Sequence, residues 1–329
     1  MKELIDQYGR KINYLRISVT DRCNLRCIYC MPDSGIISNR HEEILTYEEI
    51  LKIVQGAVLW GINKIRITGG EPLVRKNIVY LIGALAKIEG INDLSLTTNG
   101  VLLEEYCEDL KKIGLKRINI SLDTLNRQKY KIITGTDALN KVYKGIKKVL
   151  QIGLNPVKIN VVVMRGINDD EIVEFAKLTY DEPLHIRFIE LMPVCNIRQN
   201  WRDKFIPNSE VKKYCQNLDK LEQINNFDNN VSVSYRFKNA KGTISFISPV
   251  SDPFCSKCCR LRLTSDGKLR LCLGSPKEID LKSIVRNNQS TTDDFRQIFN
   301  FAVGLKPKGH CFNSVSYSYL QETMCQIGG

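Results

Sequence analysis

The chain has no apolar run of the roughly 18 residues or more that a membrane span needs, so no segment reads as one. The residues before Ile12 are polar and lack the apolar core of a secretory signal. The expected compartment is therefore the cytoplasm. Acidic residues are short in supply: 36 Asp and Glu stand against 48 Lys and Arg, a net charge of +12. That balance suits an anionic partner (nucleic acid, a membrane surface or a phosphorylated small molecule), or simply a solvated surface biased to lysine. The lysines are spread along the chain, which argues against a dedicated nucleic-acid arm. In other respects, 43% hydrophobic and 26% charged residues describe an ordinary globular protein, and 329 residues are enough for one or two domains. Without a secretory signal, the 12 cysteines are not first read as a disulfide framework.

Short β-branched runs recur at 15–19, 64–68, 94–97, 117–122, 157–164 and 184–191, with helical patterns between them. The pattern over 46–60 opens with Thr46 and Glu49 at capping-box spacing. Those over 101–113 and 141–152 stop before Gly114 and Gly153, and Asn168 or Asp169 can cap a helix running to about Tyr180. Alternating strands and helices imply βαβ units and a parallel sheet. Six repeats are too few for an eight-stranded barrel, which leaves an open six-unit barrel or a doubly wound sheet. Both carry their sites at the C-terminal ends of the strands. After about residue 195 the texture changes: 196–230 is polar and mixed, 231–237 and 243–247 alternate like antiparallel strands, and Ser265-Asp266-Gly267 turns a hairpin. We therefore divide the chain into a core, 1–195, and a C-terminal subdomain, 196–329, packed on it.

Six cysteines fall in two groups, near 23–30 and 255–272. Cys107, Cys195, Cys215, Cys259, Cys311 and Cys325 are scattered, and Cys107, on an apolar helix face, is expected to be buried. Cys23, Cys27 and Cys30 directly follow the first strand. Three thiolates so close suit a compact soft metal centre, and their spacing fits three corners of a [4Fe–4S] cubane. With no fourth cysteine nearby, one iron would remain open. A structural zinc would want a fourth protein ligand, for which His41 is distant.

Residues 16–32, RISVTDRCNLRCIYCMP, resemble the radical S-adenosylmethionine superfamily and, within it, the family of GTP cyclases that begins molybdenum-cofactor synthesis. The resemblance implies an incomplete (β/α)6 barrel of the radical-SAM type. Its open iron would chelate S-adenosylmethionine, whose cleavage gives methionine and a 5′-deoxyadenosyl radical. Tyr29 would contact that cofactor. Thr68-Gly69-Gly70-Glu71-Pro72 resembles the superfamily's second motif, with Gly70 as a cofactor contact through backbone that a ligand can approach closely. Thr97-Thr98-Asn99-Gly100, Ser121-Leu122-Asp123 and Met192 stand at strand ends in the family's order. The resemblance puts Ser121 and Met192 at S-adenosylmethionine and Thr97 at the nucleotide. Arg16, Arg66 and Lys158 lie in or beside apolar runs, where a cation needs either a local salt bridge or an anionic ligand. The resemblance assigns all three to GTP.

Cys255, Cys258 and Cys272, by spacing alone, could be a zinc ribbon short of one ligand, and adjacent Cys259 offers a fourth thiolate. The stretch 253–273, PFCSKCCRLRLTSDGKLRLCL, resembles the same family's second-cluster motif. This implies that Cys255, Cys258 and Cys272 hold a second [4Fe–4S] cluster whose open iron meets the guanine. Cys259 departs from the pattern. Arg260 and Arg262 alternate on one strand face and would reach the nucleotide, while Leu261 points to the core. Gly328 and Gly329 read either as a frayed end or, by the resemblance, as an active-site tail acting with Arg16 at the reacting centre.

The resemblance further implies a GTP substrate, an electron donor and a following pathway enzyme, cyclic pyranopterin monophosphate synthase, with neither nucleic acid nor membrane as partner. It also implies a homodimer, the state in which such enzymes are often found. Two rival readings are a radical enzyme that modifies peptides or matures other proteins, and a zinc-stabilised nucleic-acid-binding protein.

Overall fold

A computed structural model describes residues 3–31, 38–194, 201–224, 232–310, 312 and 324–328. The β-branched runs become strands β1 (Tyr14–Ser18), β2 (Lys64–Thr68), β3 (Asp93–Thr98), β4 (Arg117–Ser121), β5 (Val157–Val163) and β6 (Leu184–Glu190). They lie parallel to their neighbours in that order. Helices α1 (Tyr47–Leu59), α2 (Ile78–Ala86), α3 (Leu103–Lys112), α4 (Arg127–Thr134), α5 (Leu139–Gln151) and α6 (Ile172–Asp181) fill the crossovers.

Period-two alternation divides the strand residues. Leu15, Ile17, Ile65, Ile67, Leu96, Ile118 and Ile159 are fully buried in the main apolar core, with helix residues such as Ile53, Leu81 and Val142. Alternate positions line a central cavity. Helix α1 carries the expected capping box: Thr46 Oγ1 accepts from Glu49 N at 3.2 Å, and Glu49 Oε2 accepts from Thr46 N at 2.7 Å. Helices α3 and α5 stop just before Gly114 and Gly153, and Cys107 is buried on α3.

Helix α6 is entered differently from expectation. Neither Asn168 nor Asp169 caps it, because a 3-10 turn, Asp169–Glu171, comes first. Asn168 is instead used up in the β5–α6 loop, donating to Asp123 O and Val162 O and accepting from Met164 N.

The C-terminal part also departs from expectation. It contains α7 (Trp201–Lys204), α8 (Asn208–Leu218), β7 (Leu221–Ile224), β8 (Val233–Phe237), β9 (Thr243–Ile247), β10 (Arg260–Leu263), β11 (Lys268–Arg270), β12 (Glu278–Asp280), α9 (Lys282–Arg286), α10 (Thr292–Gly304) and α11 (Met324–Ile327). Three of these elements, α7, α8 and β7, occupy the stretch read only as polar and mixed. The strands do not form a separate layer on the barrel. β9 adds parallel to β6 and β10 adds parallel to β1, giving one 12-stranded sheet ordered β12-β11-β10-β1-β2-β3-β4-β5-β6-β9-β8-β7. The hairpin β10–β11 and the pair β8–β9 are antiparallel, as their alternation suggests. The incomplete barrel of β1–β6 is thus widened at both edges by later chain. Among the described residues, no helix is long and apolar enough to cross a membrane.

Candidate active site

A cavity of about 530 Å³ occupies the barrel interior. Cys23, Cys27 and Cys30 line it after the C-terminal end of β1. Cys255, Cys258 and Cys272 line it near the opposite strand ends: Cys258 precedes Arg260, which pairs with Tyr14 at the start of β1. The cavity therefore spans the barrel from one cysteine triplet to the other. Cys259 is not among its lining residues. Its carbonyl accepts from Asn13 N and Tyr14 N at the β1 edge. His41 lies exposed on the turn His41–Glu43 and does not line the cavity either. Among the described residues, no three His, Cys, Asp or Glu side chains are set to hold a single metal ion.

The loop bearing the first triplet is held by neighbouring strand ends. Gly70 N donates to Thr20 O at 2.7 Å and Glu71 N to Arg22 O at 2.8 Å. A Cβ on Gly70 would stand 2.4 Å from Arg22 O. Gly70 is thus needed for close approach to the cysteine loop, besides lining the cavity where a cofactor would lie. Buried Glu71 ties the second and third strand ends together: it accepts from Leu73 N at 3.0 Å, Thr98 Oγ1 at 2.7 Å and Asn99 N at 2.6 Å. Burial pushes its carboxyl up to about 7. Tyr29 donates to Asp123 Oδ2 at 2.6 Å, and Asp123 Oδ1 accepts from Val162 N at 2.8 Å. Burial raises Asp123 to about 6.

The thiols sit among these acids. Burial pushes Cys23 up to about 12 and raises Cys27 as well, with the Glu71 charge adding at Cys23 and the Asp123 charge at Cys27. Cys23 Sγ also accepts from Leu25 N at 3.4 Å. Such thiols keep their protons until a soft metal displaces them. Three soft donors on one loop, open to a cavity, fit an iron–sulfur cluster with one free corner.

The second triplet sits among cations. Burial works to raise the Cys258 thiol, yet the Arg260 guanidinium and the Lys306 ammonium hold it down at about 6. Lys306 is 1% exposed and donates to Arg260 O at 2.7 Å and Leu271 O at 2.6 Å, joining β10 to the Cys272 loop. Arg10, anchored by Asp6, donates to Cys255 O at 2.8 Å. Cationic neighbours thus favour the thiolate of Cys258, the form that ligates a metal.

Between the triplets runs a row of arginines across adjacent strands. Arg270 pairs with Arg262, Arg262 with Arg16, and Arg16 with Arg66. One step along, Asn119 pairs with Lys158 and Lys158 with His185, while Asn160 pairs with Arg187. Burial, helped by Arg187, Arg117 and Arg66, lowers Lys158 to about 7. Burial lowers Arg187 to about 9 and Arg262 to about 10. Arg66 donates to Ser95 Oγ at 3.2 Å and lies over the Tyr14 ring. The hydroxyl of Thr97 and Oδ1 of Asn160 are shielded from solvent without a hydrogen-bond partner among the described residues, and both residues line the cavity. Crowded cations and unsatisfied polar atoms on one wall fit a polar, multiply charged anion.

The structure brings together Tyr29, Gly70, Ser121 and Met192 near the first triplet's cavity, and Arg16, Arg66, Thr97, Lys158, Arg260 and Arg262 along the same walls. Sequence reading missed Arg187, His185, Lys306 and the Tyr29–Asp123 pair. Arg187 and His185 were findable, since they alternate with apolar residues in the run 184–191 just as Arg16 does in its own strand.

The C-terminal tail enters this cavity. Arg262 donates to Gly328 O. Gly328 has φ +80°, and a Cβ there would meet Thr68 Oγ1 at 2.8 Å and Ser18 Cβ at 2.9 Å. Gly329 lies outside the described residues. A fourth cysteine does approach the first triplet, contrary to the expectation from local sequence: Cys325 Sγ stands 3.3 Å from Cys30 Sγ, from 295 residues away.

Comparison with known proteins gives concordant findings. Residues 17–179 match the Radical SAM superfamily, and residues 184–312 match Molybdenum Cofactor Synthesis C. A curated GTP 3′,8-cyclase of Clostridium botulinum is 49% identical over 99% of this chain and 100% of its own length. That of Peptoclostridium acidaminophilum is also 49% identical, over 99% of this chain and 98% of its own. Among solved structures, Streptococcus suis SuiB bound to S-adenosylmethionine shares the fold at TM-score 0.62 and 16% identity, covering 98% of this chain and 79% of that one.

Proposed function

The chain belongs to the GTP 3′,8-cyclase family of the radical S-adenosylmethionine superfamily, and on that premise we propose how its residues divide the work. Cys23, Cys27 and Cys30 hold one [4Fe–4S] cluster, and Cys255, Cys258 and Cys272 hold a second. S-adenosylmethionine lies against Tyr29, Gly70, Ser121 and Met192, and GTP lies between the two clusters. When bound, the first cluster would supply the electron for reductive cleavage of S-adenosylmethionine, and the cyclisation of GTP between C3′ and C8 that this would start needs a further electron and a proton to reach its product. The product is 3′,8-cyclo-7,8-dihydro-GTP.

The protein's own part is placement and exclusion of water. Arg16, Arg66, Lys158, Arg260 and Arg262 neutralise the triphosphate. The nucleotide gives the shielded hydroxyl of Thr97 a hydrogen-bond partner. Gly328 fills the gap beside the substrate, with Arg262 holding the tail. Glu71 positions the second and third strand ends. The two parts of the chain, 1–195 and 196–329, each supply one cluster site and share the nucleotide. An electron donor, the cyclic pyranopterin monophosphate synthase that follows in the pathway, a homodimeric assembly and a cytoplasmic setting complete the proposal.

The observation that carries this reading is the arginine row lying between two cysteine triplets in a single cavity. Its test is anaerobic reconstitution followed by reduction with S-adenosylmethionine and GTP. We expect roughly eight iron per chain and GTP-dependent 5′-deoxyadenosine. Zinc in place of iron, or 5′-deoxyadenosine formed only with a peptide, would sink the reading.

A further inference from the structure

Cys325 belongs to neither triplet, yet it is the best-placed thiol to react with one. It is 2% exposed, and its sulfur rests 3.3 Å from that of half-exposed Cys30. A disulfide needs about 2.05 Å, so the two sulfurs have only a short way to close. The encounter is built into the tail's seat. Arg262 holds Gly328 O, and Gly328 fits between Ser18 and Thr68 with no room for a side chain. Helix α11 is thereby fixed beside the cysteine loop, which gives the pair a high effective concentration.

We propose that Cys30 and Cys325 are a redox-modification site: in the cluster-free chain, a low-molecular-weight disulfide oxidises them to a disulfide that locks the tail onto the first-cluster loop. The thiolate of half-exposed Cys30 attacks the small disulfide, forming a mixed disulfide and releasing one small thiol. Cys325 then attacks the Cys30 sulfur and releases the second. The protein loses two electrons and two protons, and the small disulfide gains both as two thiols. Burial of Cys325 means that it resolves the mixed disulfide and does not itself open the reaction. The linked chain has lost Cys30 as a ligand while Cys255, Cys258 and Cys272 are untouched. That consequence, though not the disulfide itself, rests on Cys30 being a cluster ligand.

The test uses the full-length, cluster-free, reduced protein exposed to oxidised glutathione, alkylated with iodoacetamide, digested and read by mass spectrometry. We expect a peptide pair linked through Cys30 and Cys325, removed by dithiothreitol. In Cys325→Ser, glutathione should accumulate on Cys30. Protein carrying both clusters should give no such link. An alkylated Cys325 in the oxidised wild type, or a link between Cys27 and Cys30 instead, overturns the proposal. Linkage that proceeds equally in iron-loaded protein upholds the disulfide and instead contradicts Cys30 as a ligand.

Discussion

Lys158 shows what one residue's setting implies for binding. Burial and neighbouring arginines lower it to about 7, whereas a phosphate beside it would raise it toward the ordinary lysine value near 10.4. Above pH 7 the bound state then carries a proton that the free state lacks. Affinity for GTP should fall as pH rises from about 7, by up to about tenfold per pH unit. Calorimetry at pH 8 in two buffers of different ionisation heat should show close to one proton taken up, and Lys158→Met should abolish the uptake. Glu71 makes a second case. Its two oxygens accept from three donors, so Glu71→Gln turns an amide donor toward at least one of them. We expect a loss of about 1–3 kcal/mol in urea unfolding, with the cysteine loop loosened. At this scale the sequence was partly readable. Basic residues inside apolar strands stood out because burying a cation is costly. Glu71 and Asp123 did not, since an acid at a strand end is ordinary until its partners are known.

Elements were legible where the pattern is local. The six core strands follow from β-branched runs, and α1 follows from its capping box. The entry to α6 was misread because Asn168 spends its amide on the neighbouring loop, a demand that only the fold creates. The tail belongs to this scale too. Ala at 328 would have to hold a left-handed backbone, costing about 1–2 kcal/mol, and would also strike Ser18 and Thr68. Gly328→Ala should therefore expel the tail. Cyclisation should slow at least roughly fivefold while iron content stays unchanged, as measured by product formation and iron analysis on the same sample. A variant with full activity would show that the tail's seat is dispensable.

For the whole molecule, the hidden fact was pairing between distant segments. β10 joins β1 from far along the chain, pairing Arg260 with Tyr14, and β9 joins β6. Nothing in a strand's own alternation names its neighbour, so a subdomain expected on top of the barrel instead extends its sheet. This pairing carries Arg260 and Arg262 to the side of Arg16, and it brings Cys258 to the end of the cavity opposite Cys23. The two triplets should therefore be separable. Cys272→Ser should lower iron from about eight to about four per chain and retain reductive cleavage of S-adenosylmethionine while losing conversion of GTP. In this arrangement one cavity delivers the radical made at one end to a nucleotide held between the ends. Incubating the reduced, reconstituted protein with S-adenosylmethionine and GTP deuterated at C3′ tests it most directly. Deuterium should appear in the 5′-deoxyadenosine together with cyclised product. Undeuterated 5′-deoxyadenosine, formed at the same rate with or without GTP, would contradict it.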